Sequence, residues 1–384
     1  MKALVERLEK RLAERERAKP AGLAEIEAKL EKAILKSREA KKQARSALPG
    51  GRKFLLTGYG FANFRDTEQE DSHFSAGFNP LFIWKIYDNV LFEGEAEFEL
   101  EDGGTKVNLE FAQISYLLND YVTLGVGKFL NPTNYFMERL HQPWINKLPD
   151  KPLSIAGPNF IQAKTLVGGQ IRGAIPLHLV GFDPFGGGRI GYAFYVANGA
   201  KMRRDGSFDF NNFESLDSNK QVGGRIGLVP WPGFEVGYGF ELGRVEDAFS
   251  NRDLDVTTHV VDFNSVQTSP MLLGRIDLRA QWAWRDSDWS QGLGFENQVR
   301  GGYGQVAYRP MLAGIEPIRN LEGVFRFDRL NQPDNSPFFD ENRYTVGLNY
   351  YFNPTTIFKF AYQFDDRRGA KDDDALMVQV ATGF

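Results

Sequence analysis

The chain has 384 residues, a formal net charge of -4, 25% charged side chains and no cysteine. Without cysteine there is no disulfide framework and no thiolate metal site, and without a run of 18 apolar residues there is no transmembrane helix. The mean hydropathy of -0.39 suits a soluble protein and equally a membrane barrel, whose polar inner face offsets its apolar outer face.

The first elements are helical. Residues 2–18 and 23–47 are dense in Glu, Lys, Arg, Ala and Leu, with a break at Pro20, Ala21 and Gly22. Leu23, Ile26, Leu30, Ala33, Ser37, Ala40 and Ala44 recur at a spacing of 3–4. That is a thin coiled-coil seam; a solvated amphipathic tail is the alternative. Residues 1–53 hold 16 Lys+Arg and 8 Asp+Glu, net +8, which leaves -12 for the remainder. The organisation expected is a basic helical periplasmic extension over 1–52 and a barrel over 53–384, hinged at Pro49, Gly50 and Gly51. No apolar segment follows Met1 and Lys2, so no signal peptide is read there, and a mature or re-engineered form is expected.

Sixteen short strands are predicted from Lys53 onward, near 53–64, 72–86, 90–101, 105–118, 121–130, 161–176, 188–198, 219–229, 234–245, 256–264, 272–285, 298–309, 320–330, 342–352, 355–365 and 374–384. Fourteen or eighteen are the alternatives. The third is the clearest. Glu93, Glu95, Glu97, Glu99 and Glu101 share one parity, and Phe92, Gly94, Ala96, Phe98 and Leu100 share the other. Only a period of two separates them so fully, and that period belongs to a strand. An apolar outer face and a charged inner face, repeated many times, predict an all-β fold: a transmembrane antiparallel barrel with a wet lumen. Tight turns at Asp88-Asn89, Asn119-Asp120, 230–233 and Asn353-Pro354 alternate with longer polar gaps. Three connections strain this pattern. Residues 102–104 are short for an outer loop, while 177–187 and 310–319 are long for periplasmic turns.

The gap 131–160 is the longest. It mixes Tyr135, Phe136, Met137, Leu140, Trp144, Ile145 and Leu148 with Glu138, Arg139, His141, Lys147, Asp150 and Lys151. Such a loop is expected to pack against an inner wall rather than extend into water. The barrel resembles the phosphate-selective porin O/P family of outer-membrane porins. The resemblance is carried by residues 124–129 (Leu-Gly-Val-Gly-Lys-Phe) with Asn131 and Pro132, and by the final strand 375–384. It implies that 131–160 is a constriction loop. It also implies a homotrimer of separate pores in outer-membrane lipid and lipopolysaccharide, and a C-terminal assembly signal at Phe384. The family's phosphate selectivity depends on a dense arginine ladder; this chain has a mixed lumen and a net acidic barrel, which argue against that selectivity here.

Parity assigns candidate pore-lining residues: Glu93, Glu95, Glu97, Glu99, Glu235, Glu241, Arg225, Arg275, Arg279, Arg326 and Lys359. An Arg or Lys facing lipid at mid-membrane costs about 2–4 kcal/mol, which favours these inward assignments. In the loop the candidates are Glu138, Arg139, His141 and Lys147. Glu138 with His141 reads as a proton-relay pair or, more plainly, as pore lining. Opposite charges on separate wall segments would set a field across the bore; simple wetting of a polar lumen is the alternative. The acidic clusters 372–374 and 205–217 read as solvated loop charge, with Ca²⁺ or lipopolysaccharide bridging as the alternative. His73, His141, His178 and His259 lack metal-ligand spacing, and no nucleophile elbow or phosphate loop occurs. The expectation is a non-enzymatic passive channel with no cofactor, no metal and no nucleic-acid partner. The alternative is an envelope-organising anchor whose tail, residues 1–47, grips peptidoglycan or a periplasmic partner.

Overall fold

The computed structural model describes residues 53–101, 104–210, 219–250 and 252–384. The expected helical extension over 1–52 therefore lies outside the described residues. From Phe54 onward the chain forms sixteen antiparallel barrel strands: β1 (Phe54–Thr67), β2 (His73–Tyr87), β3 (Val90–Glu101), β4 (Gly104–Leu117), β5 (Thr123–Leu130), β6 (Thr165–Pro176), β7 (Arg189–Asn198), β8 (Lys220–Val229), β9 (Phe234–Glu246), β10 (Asp253–Ser269), β11 (Gly274–Ser287), β12 (Val299–Arg309), β13 (Leu321–Asn331), β14 (Glu341–Asn353), β15 (Thr356–Arg367) and β16 (Ala375–Gly383). Each strand pairs with its chain neighbours, and β16 returns to β1, from Tyr59 opposite Gly383 to Thr67 opposite Ala375. Closure removes the unpaired edges that an open sheet would expose. Phe384 sits at the seam. Its backbone N–H donates to the Gly58 carbonyl at 3.0 Å, and its ring stacks on Phe78 at 5.8 Å.

Alternation holds along most strands. In β9, Glu235, Glu241 and Val245 are buried, while Val236, Tyr238 and Leu242 are exposed on the outer wall. Strand β4 departs from it for a local reason. Glu95 lies opposite Phe111 and Ala96 opposite Leu109, so Glu110 is an extra residue, a β-bulge. Before the bulge Val107 and Leu109 face out; beyond it Ile114 and Tyr116 do, and Phe111 and Ser115 turn inward. Other corrections to the predicted boundaries are small: β6 begins at Thr165 rather than 161, and β10 runs over 253–269 rather than 256–264.

The connections form two unlike ends. At the turn end lie 88–89, 118–122, 177–188, 230–233, 270–273, 310–320 and 354–355; at the loop end lie longer polar connections such as 68–72, 131–164 and 332–340. The loop after β5 carries two short helices, α1 (Tyr135–Arg139) and α2 (Leu153–Ala156). A small ribbon, Lys201–Met202 with Phe208–Asp209, forms between β7 and β8. It packs Met202 and Phe208 on Val245, Leu254, Leu293 and Phe295 at the loop end.

Candidate channel and constriction loop

The loop 131–164 enters the barrel because its first residues are pinned. Asn131 donates to the Glu241 carboxylate at 2.7 Å and to the Ala163 carbonyl at 3.0 Å. Thr133 and Tyr195 also donate to Glu241. One inward glutamate thus gathers both ends of the loop against β9. The Asn134 side chain then accepts from the Met137 N–H and starts α1.

From there the loop crosses the interior and covers the wall from β9 to β16. Phe136 meets Tyr303 edge-on at 5.9 Å. Leu148 is fully buried among Ala307, Val324, Ala361, Ala375 and Met377. Leu153 and Ile161 pack on Val260, Ala283, Val299 and Leu330. Among the wall residues beneath, Ala283, Ala307, Ala361 and Ala375 are small, which makes room for the loop. Gly347 carries this furthest, since a Cβ there would come within 2.6 Å of the Leu148 side chain.

Charged groups under the loop are matched. Lys147 donates to Glu322 at 2.7 Å and to the Tyr351 hydroxyl at 2.8 Å, and Tyr351 donates on to Glu322 at 2.8 Å. Asp150 takes Arg326 at 2.7 Å and Arg343 at 3.4 Å. Arg326 also holds Asp328 at 2.7 Å, and Arg343 holds Asp365 at 2.7 Å. Lys359 donates to Gln379 at 2.6 Å and to the Pro143 and Leu148 carbonyls. Arg285 donates to Asn159 and the Phe160 carbonyl and lies 4.0 Å from the Phe208 ring. Buried charges need such partners, because burial without them costs several kcal/mol.

The open part of the lumen lies elsewhere. A cavity of about 510 Å³ runs between the loop and the arc from β3 to β8, with Glu93, Gln113, Ser115, Glu138, Arg139, Arg172 and Arg225 on its walls. A second, of about 740 Å³, is lined by Glu97, Glu99, Lys106, Glu110, Lys128, Lys151 and Lys164. Glu138 reaches across to Arg172 on β6 at 2.7 Å. Arg139 pairs with Glu235 at 2.8 Å, and Arg225 pairs with Asp262 at 2.6 Å and Glu235 at 2.9 Å.

The predicted site residues therefore separate into two groups. Glu93, Glu97, Glu99, Arg225, Glu138 and Arg139 border the cavities. Glu95 is fully buried, accepting from Tyr59 at 2.6 Å. Glu241, Arg326 and Lys359 are buried beneath the loop, as is Lys147 of the loop itself, and Arg279 is closed onto Asp277 at 2.6 Å; these five lie away from the walls of the two cavities. Glu235 is buried between Arg139 and Arg225, and Arg275 points inward on β11 near the turn end. His141 does not pair with Glu138. It is buried, and its Nδ1–H donates to the Met137 carbonyl. Burial, and then the nearby Lys151 charge, push its imidazole down to about 3. Asp372 and Asp374 accept the backbone N–H groups of Arg367 and Asp365 at the end of β15, and among the described residues no cluster suited to a metal is present. Sequence reasoning missed Glu322, Asp262 and Asp328, the carboxylates that hold the loop and the arginines. All three lie at inward parity, the one signal that marked them.

No family model matches the chain, and no curated protein matches it. Solved structures do. Over 86% of this chain, the OmpF porin of Salmonella typhi in complex with daunomycin superposes with a TM-score of 0.55 at 13% identity, covering 97% of that chain. The anion-selective porin from Comamonas acidovorans gives 0.53 at 12% identity over 86% of this chain and 99% of that one. OmpT, an outer membrane protein of Vibrio cholerae, gives 0.53 at 10% identity over 86% and 97%. The likeness is one of fold: this chain is a closed sixteen-stranded barrel of the porin type.

Proposed function

We propose that the chain is an outer-membrane porin: a water-filled channel through which small hydrophilic solutes and ions pass by diffusion. The observation that carries this reading is the cavity between the loop and β3–β8, bordered by charges of both signs. Water and ions are stabilised along such a wall, whereas a ligand pocket would be largely apolar. The loop narrows the bore, and the candidate selectivity zone is Glu93 with Arg139, Arg172 and Arg225 in one cavity and Glu97 and Glu99 with Lys106, Lys128, Lys151 and Lys164 in the other. Resemblance to the phosphate-selective porins would add phosphate preference. Against it, Arg225, Arg279, Arg326 and Arg343 each carry an aspartate partner, which removes most of the ladder's net charge. The selectivity proposed is weak and tilted towards cations. A homotrimer is proposed as well, since one Vibrio cholerae OmpT structure in this fold is a trimer form. The periplasmic side is assigned to the turn end and to residues 1–52.

Planar-bilayer recording in a salt gradient tests the reading. Discrete conductance steps with a small cation-directed reversal potential are expected. A folded, inserted barrel without steps would transfer the function to the basic N-terminal segment as an envelope anchor. Strong anion preference saturated by phosphate would restore the phosphate reading. Deleting 136–148 should raise the single-channel conductance, because resistance is set by the narrowest section.

A further inference from the structure

The two long connections at the turn end, 177–188 and 310–320, are not explained by channel function. A barrel needs only two to four residues to reverse direction there, as 88–89 and 354–355 do. These two instead present large apolar side chains to the outside. Phe182 is 66% exposed, Phe185 65% and Ile315 59%, and Met271 in the neighbouring turn 270–273 is 90% exposed. Turn tips in water favour Gly, Asn, Asp and Ser. Charge is sparse in these segments: His178 and Asp183 in one, Glu316 and Arg319 in the other.

The apolar tips are continuous with the outer wall. Phe185 meets Trp231 at 5.1 Å, Trp231 meets Phe234 at 4.5 Å, and Phe234 meets Phe263 at 5.4 Å, a chain of rings from the rim onto the membrane-facing side of β9 and β10. On the next arc the Leu312 N–H donates to the Leu273 carbonyl at 3.0 Å, and the Tyr308 hydroxyl donates to the Leu272 carbonyl at 2.5 Å. The turn 270–273 and the connection 310–320 are thereby one unit.

We propose that the connections 177–188 and 310–320, with the turn 270–273 between them, are interfacial anchors that seat in the headgroup–acyl boundary of the leaflet at the turn end. The occupant of this surface is lipid, because the rings from Phe185 through Trp231 and Phe234 to Phe263 run from the rim onto the barrel's outer wall, and because aromatic and aliphatic side chains with few charges are what that boundary accepts. The proposal rests on the chain being a membrane barrel. It adds that one arc of the rim, β6 to β13, grips the bilayer while the short Asp-Asn and Asn-Pro turns elsewhere stay in water.

The cysteine-free chain permits a direct test. Single variants F182C, M271C and I315C carry bimane on the full-length protein folded in liposomes, with V261C on the outer wall and N89C in a tight turn as references. Quenching by acyl-chain doxyl lipid at the three rim positions should come within about twofold of that at V261C, as expected for apolar side chains buried in the interface, and aqueous iodide should have little effect. N89C should show the reverse. Rim labels quenched by iodide but not by doxyl lipid, with V261C still lipid-quenched, would overturn the anchor, leave the barrel reading intact and point to a soluble partner or to water. If V261C were also iodide-quenched, the membrane-barrel reading and the anchor would both fail.

Discussion

The wall from β9 to β16 and the wall from β3 to β8 belong to one barrel and have opposite interiors. The first is dry. Its inward positions alternate small apolar residues such as Ala307, Ala361 and Val260 with charges closed into pairs, and the loop 131–164 lies over them. The second is wet, with Glu93, Gln113, Ser115 and Arg172 bordering open space. An inward-facing charge can therefore be structural or solvent-lining, and parity does not distinguish the two. On the wall from β9 to β16 it is the overlying loop that closes the charges off from the open lumen.

The largest effect should come from breaking the dry side. Lys147→Met leaves Glu322 buried without its cation, which costs about 3–5 kcal/mol. Loop release should appear as new protease cleavage within 131–164 and noisier conductance, and Lys147→Met with Glu322→Gln should recover much of the loss. Unchanged protease resistance in the single variant would mean that apolar packing alone holds the loop.

Acid offers a second route. His141 has a depressed value of about 3 against 6.5 unperturbed, chiefly through burial. The seated loop therefore resists protonation that the released loop accepts. Its contribution to seating is complete above about pH 6.5 and falls as pH drops towards 3, by at most about 1.4 kcal/mol per pH unit. Loop cleavage rates should rise on acidification from pH 7 to pH 4, and His141→Phe should flatten that rise. A wild-type profile that is already flat would exclude this histidine as the source.

On the wet side the expected effects are electrical and smaller. Changing Glu93, Glu97 and Glu99 together to Gln should leave folding intact and shift the reversal potential towards anions. The shift should fade at 1 M salt, where the Debye length is about 3 Å. Equal reversal potentials at low salt would remove these residues from the conducting path. The smallest effect is predicted for Arg172→Ala. The Glu138–Arg172 pair is partly solvated and should contribute only about 0.2–1 kcal/mol to loop seating by double-mutant cycle.

Most of the fold was legible because period-two alternation with Phe, Tyr and Trp on one side survives along whole strands, as in β3, β9 and β11. The Glu110 bulge was not legible, because Lys106, Asn108 and Glu110 give way to Phe111, Gln113 and Ser115 without any local mark of the shift. The loop's apolar content identified it as packed, yet the partners of Lys147 and Asp150 lie more than 170 residues away and follow from closure alone. One signal was present and unused. Inward positions occupied by Ala, Val or Leu on β10 to β16, where a wet lumen would carry polar groups, trace the footprint of the loop.

Single-cysteine accessibility in a bilayer tests most directly whether the conducting path runs on the wet side alone. With a membrane-impermeant cationic thiol reagent, E93C, Q113C and S115C should each react and reduce the current stepwise. A307C and A361C, small and fully buried beneath Leu148, should carry normal current and remain unmodified. Rapid current block at A307C or A361C, with silence at E93C and S115C, would contradict the account and place the pore under the loop.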